Sequence, residues 1–478
     1  MPTHRHKKGM IKMNTKDNRL IVTMDLIGEK HHDRKQLQWN ELQDKLADAV
    51  TDKKNVGAIL SDIFFYVYDV RLSGKDIYVY NKGKYKKLTE EVTAKKLNDL
   101  ICDYEKIRGS IKSIHYKECY RQIKIRCDKE VKKLPKSNNK PYILCKNGVV
   151  DIQDLSLKEK SKKYGFTSGI KAKFKAEATG EKFEKFIDFA TGGDDELKKL
   201  LQEVMGYAIS EYTNLRKAFI FQGPKGTGKS LFLDIIRTLV GIDNTSSVDL
   251  QNLDREYYRA NILSSKVNIA PDTPEKAIKE IGTFKSLTSE LDVISGRNPY
   301  EGVTQYRCKS KLLFGTNHYL RFTKVSKDDI IAVFDRLVYI PFVNQVKDKE
   351  RNVNLRKELL REKNYIFTWA CKGLKRLYDN NFEFSYCAQS KKMYNDALAH
   401  YCPEKVFAEE CIMFDCKDEY ETSVDVGNAF MKFLRERGIS EYNENDIRKY
   451  LEELGVEKVR KRIDSEYPQR IFLGIRLI

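Results

Sequence analysis

Ala218-Phe219-Ile220-Phe221-Gln222-Gly223-Pro224-Lys225-Gly226-Thr227-Gly228-Lys229-Ser230 runs on into Leu231-Phe232-Leu233-Asp234-Ile235-Ile236. The opening apolar run, closed by a glycine, has the pattern of a buried strand, and the closing run is apolar at helical spacing. Between them Gly223, Gly226 and Gly228 let the backbone curl, so that successive N–H groups and a helix N-terminus converge on one point. In a turn of this kind Lys229 reaches the β- and γ-phosphates of a nucleotide such as ATP, Ser230 holds Mg²⁺, and Pro224, Lys225 and Thr227 complete the cradle. The competing reading is a tight strand-to-helix turn that binds nothing. The strand and helix signals on either side favour the phosphate cradle.

Kinases, GTPases, transporters and DNA motors all carry such a loop, and the charge of the chain begins to choose among them. Lys and Arg number 88 against 69 Asp and Glu, a net charge of +19. A surface of that sign attracts a polyanion through counterion release, and nucleic acid is the obvious one; the alternative is a solvated basic surface that aids solubility. With 478 residues, 41% of them hydrophobic, the chain suits two to four domains with a core in each and is not a disordered chain. No apolar run approaches the roughly 18 to 20 residues of a membrane span. The basic, polar start from Met1 to Arg19 holds no hydrophobic signal segment, so a cytoplasmic location without membrane partners is expected. Ten cysteines, at positions that include Cys102, form no repeated close pairs and read as reduced thiols. His400, Cys402, Cys411 and Cys416 match no standard zinc-finger spacing, so buried apolar cysteine is preferred to zinc ligation.

The expected organisation is a basic flexible arm (1–20), an N-terminal α+β domain (21–140), a helical region (141–205), a P-loop core (206–345), a helical linker region (346–415) and a C-terminal domain (416–478). Ala58 to Tyr80, with its bunched apolar and aromatic residues, reads as a small strand-containing unit. Glu90 to about Cys127 reads as a helical stretch with lysines on its outer face. Asn147-Gly148 marks a turn after the strand Tyr142 to Cys145, and Leu197 to Ile209 is apolar at helical spacing.

Beyond the glycine-rich turn, three further elements appear in order. Val267-Asn268-Ile269-Ala270-Pro271-Asp272 is a strand ending in a carboxylate, suited to the Mg²⁺ shell and to positioning an attacking water. Lys311-Leu312-Leu313-Phe314-Gly315-Thr316-Asn317 is a buried strand ending in an amide, which can bond a γ-phosphate or cap a turn. In Phe334-Asp335-Arg336-Leu337-Val338-Tyr339-Ile340-Pro341-Phe342 an arginine stands at the mouth of an apolar strand. Arg336 is a candidate arginine finger for a neighbouring subunit's nucleotide, with a local salt bridge as the alternative.

In order and type these residues resemble the superfamily 3 helicases, in particular the phage, plasmid and poxvirus-type primase-helicase branch. Asn147-Gly148-Val149-Val150-Asp151 and Gly206-Tyr207 resemble pieces of the region preceding the ATPase in that family, so the resemblance spans about residues 95–345. It implies an α/β, AAA+-like P-loop core and a homo-hexameric ring that hydrolyses ATP between subunits and moves 3′ to 5′ on single-stranded DNA. Two departures stand out. A single Asp272 follows Pro271 where the family often has paired acids, with Glu275 nearby, which leaves open the carboxylate that polarises water. The family's channel hairpin corresponds to Asp292–Tyr300, where its usual lysine falls on Asn298; the resemblance makes Arg297 the first choice for gripping DNA and Lys285 the second, the alternative being an exposed turn.

In the tail, Val426 to Arg437 and Asn445 to Leu454 read as two short helices closed by Gly438 and Gly455. A densely basic stretch from Val456 to Arg462 follows, and Ile471, Leu473, Ile475 and Leu477 alternate as one face of a strand. Helix, helix and basic hairpin suggest a winged helix, with Lys458, Arg460, Lys461, Arg462, Arg470 and Arg476 facing duplex phosphates and the second helix entering a major groove. A protein-docking role is the alternative. Fewer than about 100 residues precede the helical region, too few for an archaeal-eukaryotic primase domain, so primer synthesis is not expected. The reading that results is a DNA helicase and replication initiator of a mobile element such as a phage-related pathogenicity island, with host replication proteins as candidate partners. The alternatives are a DNA-binding assembly protein that uses ATP as a switch without unwinding, and a small-molecule phosphotransferase.

Overall fold

The computed structural model describes residues 12–14, 19–21, 32–74, 76–101, 107, 109–130, 133–297, 304–347, 349, 351–417, 419–462 and 467–478. The chain divides into two compact units, Met1–Ser137 with Glu159–Gly169, and Asn138–Lys158 with Ile170–Ile478.

In the first unit, helices His32–Asp52, Val56–Val67, Glu90–Ile101 and Ser113–Glu130 accompany a three-stranded antiparallel sheet of Val70–Ser73, Asp76–Asn81 and Lys84–Lys87. The apolar run Ile59 to Val67 is helix and not strand. Val56, Leu60, Ile63 and Phe64 recur at helical spacing and are buried together, and this periodicity outweighs the β-preference of the aromatic residues. The strands expected in that region begin at Val70. The stretch expected to be helical from Glu90 to Cys127 contains helices Glu90–Ile101 and Ser113–Glu130, with a turn at Gly109 and Ser110 before the second. Of the N-terminal arm, Lys12–Asn14 pairs antiparallel with Arg19–Ile21; His4 to Lys8 and Lys16 lie outside the described residues, as does Cys102.

The second unit is a mixed α/β structure around a parallel sheet. Its strands are β1 (Ala218–Gln222), β2 (Thr245–Ser246), β3 (Val267–Ala270), β4 (Lys311–Thr316) and β5 (Leu337–Pro341), and they lie in the order β2-β3-β4-β1-β5. Every residue of β1, β3 and β4 is buried, which is why these strands read as continuous apolar runs: helices cover both faces of a parallel sheet. Alternation divides each strand between two cores. Phe219, Phe221, Ile269, Leu313 and Ile340 meet α1 (Asp195–Ile209), α2 (Lys229–Val240) and α4 (Lys363–Asp379). Ala218, Ile220, Ala270, Phe314 and Tyr339 meet α3 (Lys327–Phe334) and the helices of the tail.

Helices α1 and α4 cross with their backbones nearly touching. A Cβ on Gly206 would lie 2.5 Å from the Ala370 carbonyl, and one on Gly373 2.3 Å from that of Gln202. Beside the crossing, buried Glu203 accepts from Arg376 at 2.5 Å and from the Ser385 hydroxyl at 2.6 Å. Residues 142–158, upstream of helix Glu181–Thr191, form a small three-stranded sheet, with Gly148 at the expected turn.

The tail contains α5 (Ser423–Glu436) and α6 (Glu444–Glu453), followed by Gly438 and Gly455 at φ 66° and 83°. Thr422 caps α5 and an Asn443–Asp446 capping box starts α6, as the sequence chemistry requires. Strands Tyr420–Thr422, Gln469–Leu473 and Lys458–Lys461 form an antiparallel sheet in that order. The single strand expected from Ile471 to Leu477 is broken. Gly474, at φ 72°, turns the chain so that Arg476–Leu477 pairs with Ile412–Met413 instead.

Candidate functional site

The loop Gly223–Gly228 leaves the carboxyl end of β1 and enters α2. Gly226 and Gly228 hold φ at 85° and 95°, a region open to glycine and costly for other residues. Gly223 is required for a different reason: a Cβ there would lie 2.1 Å from the Phe342 carbonyl. The segment after β5 straps the loop from outside, with Gln345 Nε2 donating to Lys225 O at 2.7 Å and Val346 N to Gly226 O at 3.2 Å. Thr227 Oγ1 closes it from inside onto Pro224 O at 3.0 Å.

Lys229 is buried at the first turn of α2, and its ammonium donates to Gly223 O at 2.6 Å and Pro224 O at 2.8 Å. Burial pulls its pKa below the ordinary lysine value, and the carboxylate of Asp272 opposes that shift. Gly228 offers no side-chain cap to α2, so the first-turn N–H groups have no intrahelical partner and carry the positive end of the helix dipole. Ser230 sits in that turn and is exposed.

Asp272 and Asn317 follow the carboxyl ends of β3 and β4, on the same edge of the sheet as the loop. Both are exposed. Thr316 Oγ1 accepts from His318 N at 3.1 Å, which folds Asn317 into a tight turn. Thr273 N donates to Gly315 O at 2.7 Å and ties the Asp272 segment to β4. Two buried oxygens on this edge, Gln222 Oε1 and Thr273 Oγ1, have no hydrogen-bond partner among the described residues, which is unusual for buried polar atoms. Glu275 is engaged with Arg321 at 2.9 Å and with His318 at 3.7 Å.

Sequence reading missed Asp249. The buried amide of Asn268, on β3, donates to Val248 O at 2.9 Å and accepts from Val248 N at 2.9 Å. This clamp sets Asp249 where burial, and then the charge of Asp272, raise its pKa above the ordinary carboxyl value while Asn252 opposes. The only sequence signal was the polar Asn268 inside a buried strand. Among the described residues no group of three or more His, Cys, Asp or Glu is gathered for a metal ion. One hydroxyl with one or two carboxylates is nonetheless a fitting donor set for Mg²⁺, which usually takes its other ligands from water and phosphate.

Arg336 occupies the opposite edge. It precedes β5, and its backbone carbonyl accepts from Ala218 N at the start of β1. The guanidinium donates to Ala332 O, and among the described residues its buried Nε has no partner and it makes no ion pair. Lys217 lies beside it, with Nζ 2.6 Å from Asp335 O. The same edge holds fully buried Lys311, whose ammonium donates to Ser210 O at 2.8 Å.

The hairpin expected around Arg297 is present as Ile294–Gly296 paired with Thr304–Tyr306; Asn298 to Tyr300 lie outside the described residues. Arg297 is exposed at the end of its first strand, and Arg259 Nε donates to Ser295 O at 2.9 Å to tie the hairpin to helix Glu256–Ser264. Lys285 instead pairs with Asp329 at 2.8 Å. In the tail Lys458 pairs with Glu452, and Arg476 with Glu419 at 3.3 Å, whereas Arg460, Lys461, Arg462 and Arg470 are exposed with no carboxylate partner among the described residues. The nine described cysteines are free thiols, and Cys402 is buried. Among the described residues no helix is long and apolar enough to cross a membrane.

Comparison with known proteins gives two family matches. Residues 30–192 match a family described as D5 N terminal like, and residues 221–336 match a family of unknown function, DUF5906. A 74-residue stretch is 36% identical to the uncharacterized mitochondrial protein ymf21 of Marchantia polymorpha, over 15% of this chain and 41% of that protein. Two apo structures of the NrS-1 C terminal region superpose with TM-scores of 0.47 and 0.45 at 11% and 12% identity, each over 87% of this chain and 98% of the other. The D5 N terminal like match supports a relationship to phage-type primase-helicases and does not single out superfamily 3.

Proposed function

We propose that this chain is an ATP-dependent DNA helicase and replication initiator that works as a ring, each ATP lying between two subunits. One observation supports the reading: the residues expected to act on the nucleotide stand at opposite edges of one sheet. Lys229, Ser230, Asp272 and Asn317 stand at the carboxyl edge, where ligands of open parallel sheets bind. Arg336 stands at the amino edge, a full strand of five residues away, roughly 16 Å at about 3.3 Å per residue. Its guanidinium cannot reach its own loop, which supports a role for it on a neighbour's ATP.

In this mechanism the Lys229 ammonium exchanges its loop carbonyls for phosphate oxygens, and the first-turn N–H groups of α2 bind the same chain of charge. Mg²⁺ held by Ser230 and Asp272 would neutralise charge on the transferred phosphoryl group. Asn317 senses the γ-phosphate, and Asp272, with Asp249 beside it, orients the attacking water. Arg336 from the adjoining subunit stabilises the developing charge. The hairpin bearing Arg297 grips single-stranded DNA in the channel, and the tail, read as a winged helix, holds duplex origin DNA.

Strand displacement on a forked DNA tests the proposal, with ATP hydrolysis followed in parallel for the native protein, Lys229→Ala and Arg336→Ala. Displacement by the native protein and its loss in both variants is expected. Hydrolysis without displacement would instead favour an ATP-switched DNA-binding assembly.

A further inference from the structure

The tail's two candidate DNA-contacting elements differ sharply in charge. Helix α6 carries Glu444, Asp446, Glu452 and Glu453 against Arg448 and Lys449. Both cations are taken up by its own carboxylates, Arg448 by Glu444 at 2.9 Å and Lys449 by Glu453 at 3.5 Å. A helix of that balance meets phosphates with net repulsion.

The hairpin has the opposite character. Arg460 and Arg470 lie directly opposite each other across its two strands, and both are exposed. Directly opposed like charges in an antiparallel pair are destabilising. Alternation sets them on the side that carries Phe472 into the core, one pleat closer to the tip, and Arg462 follows on that side with the same period. Lys461, on the other side, stands 5.3 Å from the Tyr420 ring. The tip, residues 463–466, includes Asp464 and Glu466 and lies outside the described residues. Among the described residues no carboxylate neutralises Arg460, Lys461, Arg462 or Arg470, although the same domain satisfies Lys458 with Glu452 and Arg476 with Glu419.

We propose that the tail binds duplex DNA through this hairpin, the arginines straddling the phosphate backbone, with α6 turned away from the groove. This rests on the DNA-directed reading of the chain and deepens it. Binding is then indifferent to sequence, steeply dependent on salt, and suited to holding a duplex in register while another part of the protein or a partner selects the origin.

The test uses the full chain without nucleotide and two fluorescent duplexes of unrelated sequence, titrated at several salt concentrations. Two double variants are compared: Arg460→Ala with Arg470→Ala, and Asn445→Ala with Lys449→Ala on α6. Thermal midpoints confirm folding, and the hairpin variant should equal or exceed the native value because it removes a repulsion. The hairpin variant is expected to weaken both duplexes about tenfold or more and to flatten the slope of log affinity on log salt by about 2, near 0.9 for each phosphate that is no longer neutralised. The α6 variant should stay within about twofold of native. Loss of affinity in the α6 variant with native binding by the hairpin variant would overturn the proposal, as would no duplex binding by the native chain. A protein that displaces strands but binds duplex alike with and without the arginines refutes the hairpin alone. One that binds through the hairpin yet never hydrolyses ATP refutes the helicase reading alone.

Discussion

The carboxyl and amino edges of the central sheet are built from the same five strands and solve opposite electrostatic problems. At the carboxyl edge the fold concentrates positive potential without many cations: one buried lysine, an uncapped helix and a glycine loop whose tightness is enforced by the Phe342 carbonyl. Carboxylates stand close by, and two buried oxygens lack partners among the described residues. At the amino edge cations accumulate, Lys217, Lys311 and Arg336, and each donates to a backbone carbonyl. In the proposed mechanism the first edge receives phosphate together with its metal. On the second, Arg336 makes no ion pair with any described residue, and in the proposed mechanism it acts on a neighbouring subunit.

Mixing two inactive proteins would break this division most directly. Lys229→Ala and Arg336→Ala are each expected to lose about 10³-fold or more in ATP hydrolysis. If the edges belong to one composite site, a one-to-one mixture recovers activity, because about a quarter of randomly formed interfaces join an intact loop to an intact arginine. Each variant alone stays inactive. A mixture no better than its components would return Arg336 to a role within its own subunit.

Steric demand gives the next largest effect. Gly223→Ala forces a Cβ to within 2.1 Å of a backbone carbonyl that has no freedom to yield, and a loss of about 1–3 kcal/mol in stability is expected. Weaker binding of a fluorescent ATP analogue should accompany it. Gly438→Ala has nothing within 4 Å and meets only the left-handed backbone at φ 66°, so it should cost about 1 kcal/mol and leave nucleotide binding unchanged.

How far these edges could be read from the amino-acid sequence follows from the range of the forces that form them. The loop, the strand ends at Asp272 and Asn317 and both tail helices with their terminal glycines were legible, because each is fixed by neighbours within a few residues. Asp249 was not, since it depends on a clamp from Asn268 nineteen positions later in the chain. Charge was legible only as a total. Lys285 and Lys458 looked as available as Arg460, and only the folded chain gives them Asp329 and Glu452 as partners. The strands of the Ala58 to Tyr80 unit were legible but not where they begin, because the recurrence of Val56, Leu60, Ile63 and Phe64 at helical spacing outweighs the β-preference of the aromatic residues before Val70.

A smaller effect sharpens the carboxyl edge. Asp249→Asn should lower kcat about tenfold with little change in KM, as expected of a carboxylate that assists proton transfer without binding substrate. Burial raises the Asp249 carboxyl, and Asp272 adds to the shift. The native rate should therefore fall on acidification through that raised value. In the variant the acid limb should move to lower pH. An unchanged rate and profile would leave Asp249 as the N-terminal residue of a short 3₁₀ turn and nothing more.

The smallest effect concerns Lys311 at the amino edge. Burial, with the nearby Lys266 charge, pulls its pKa down to about 7 from an ordinary 10.5, against the opposing pull of Glu211. Below the folded value both the folded and unfolded chains hold the proton, and the cost of burying an ammonium is present in full. Between about 7 and 10.5 the unfolded chain binds a proton that the folded one does not, so stability rises with pH at up to about 1.4 kcal/mol per unit. Lys311→Met keeps the volume and removes the titration. Native thermal stability should therefore gain on the variant from about pH 7 to pH 9, by roughly 1–2 kcal/mol. Parallel curves would mean that the ammonium stays charged in the folded protein, held by Ser210 and by Glu211, which pairs with Lys266 at 2.5 Å. The amino edge would then hold one more fixed cation in its interior.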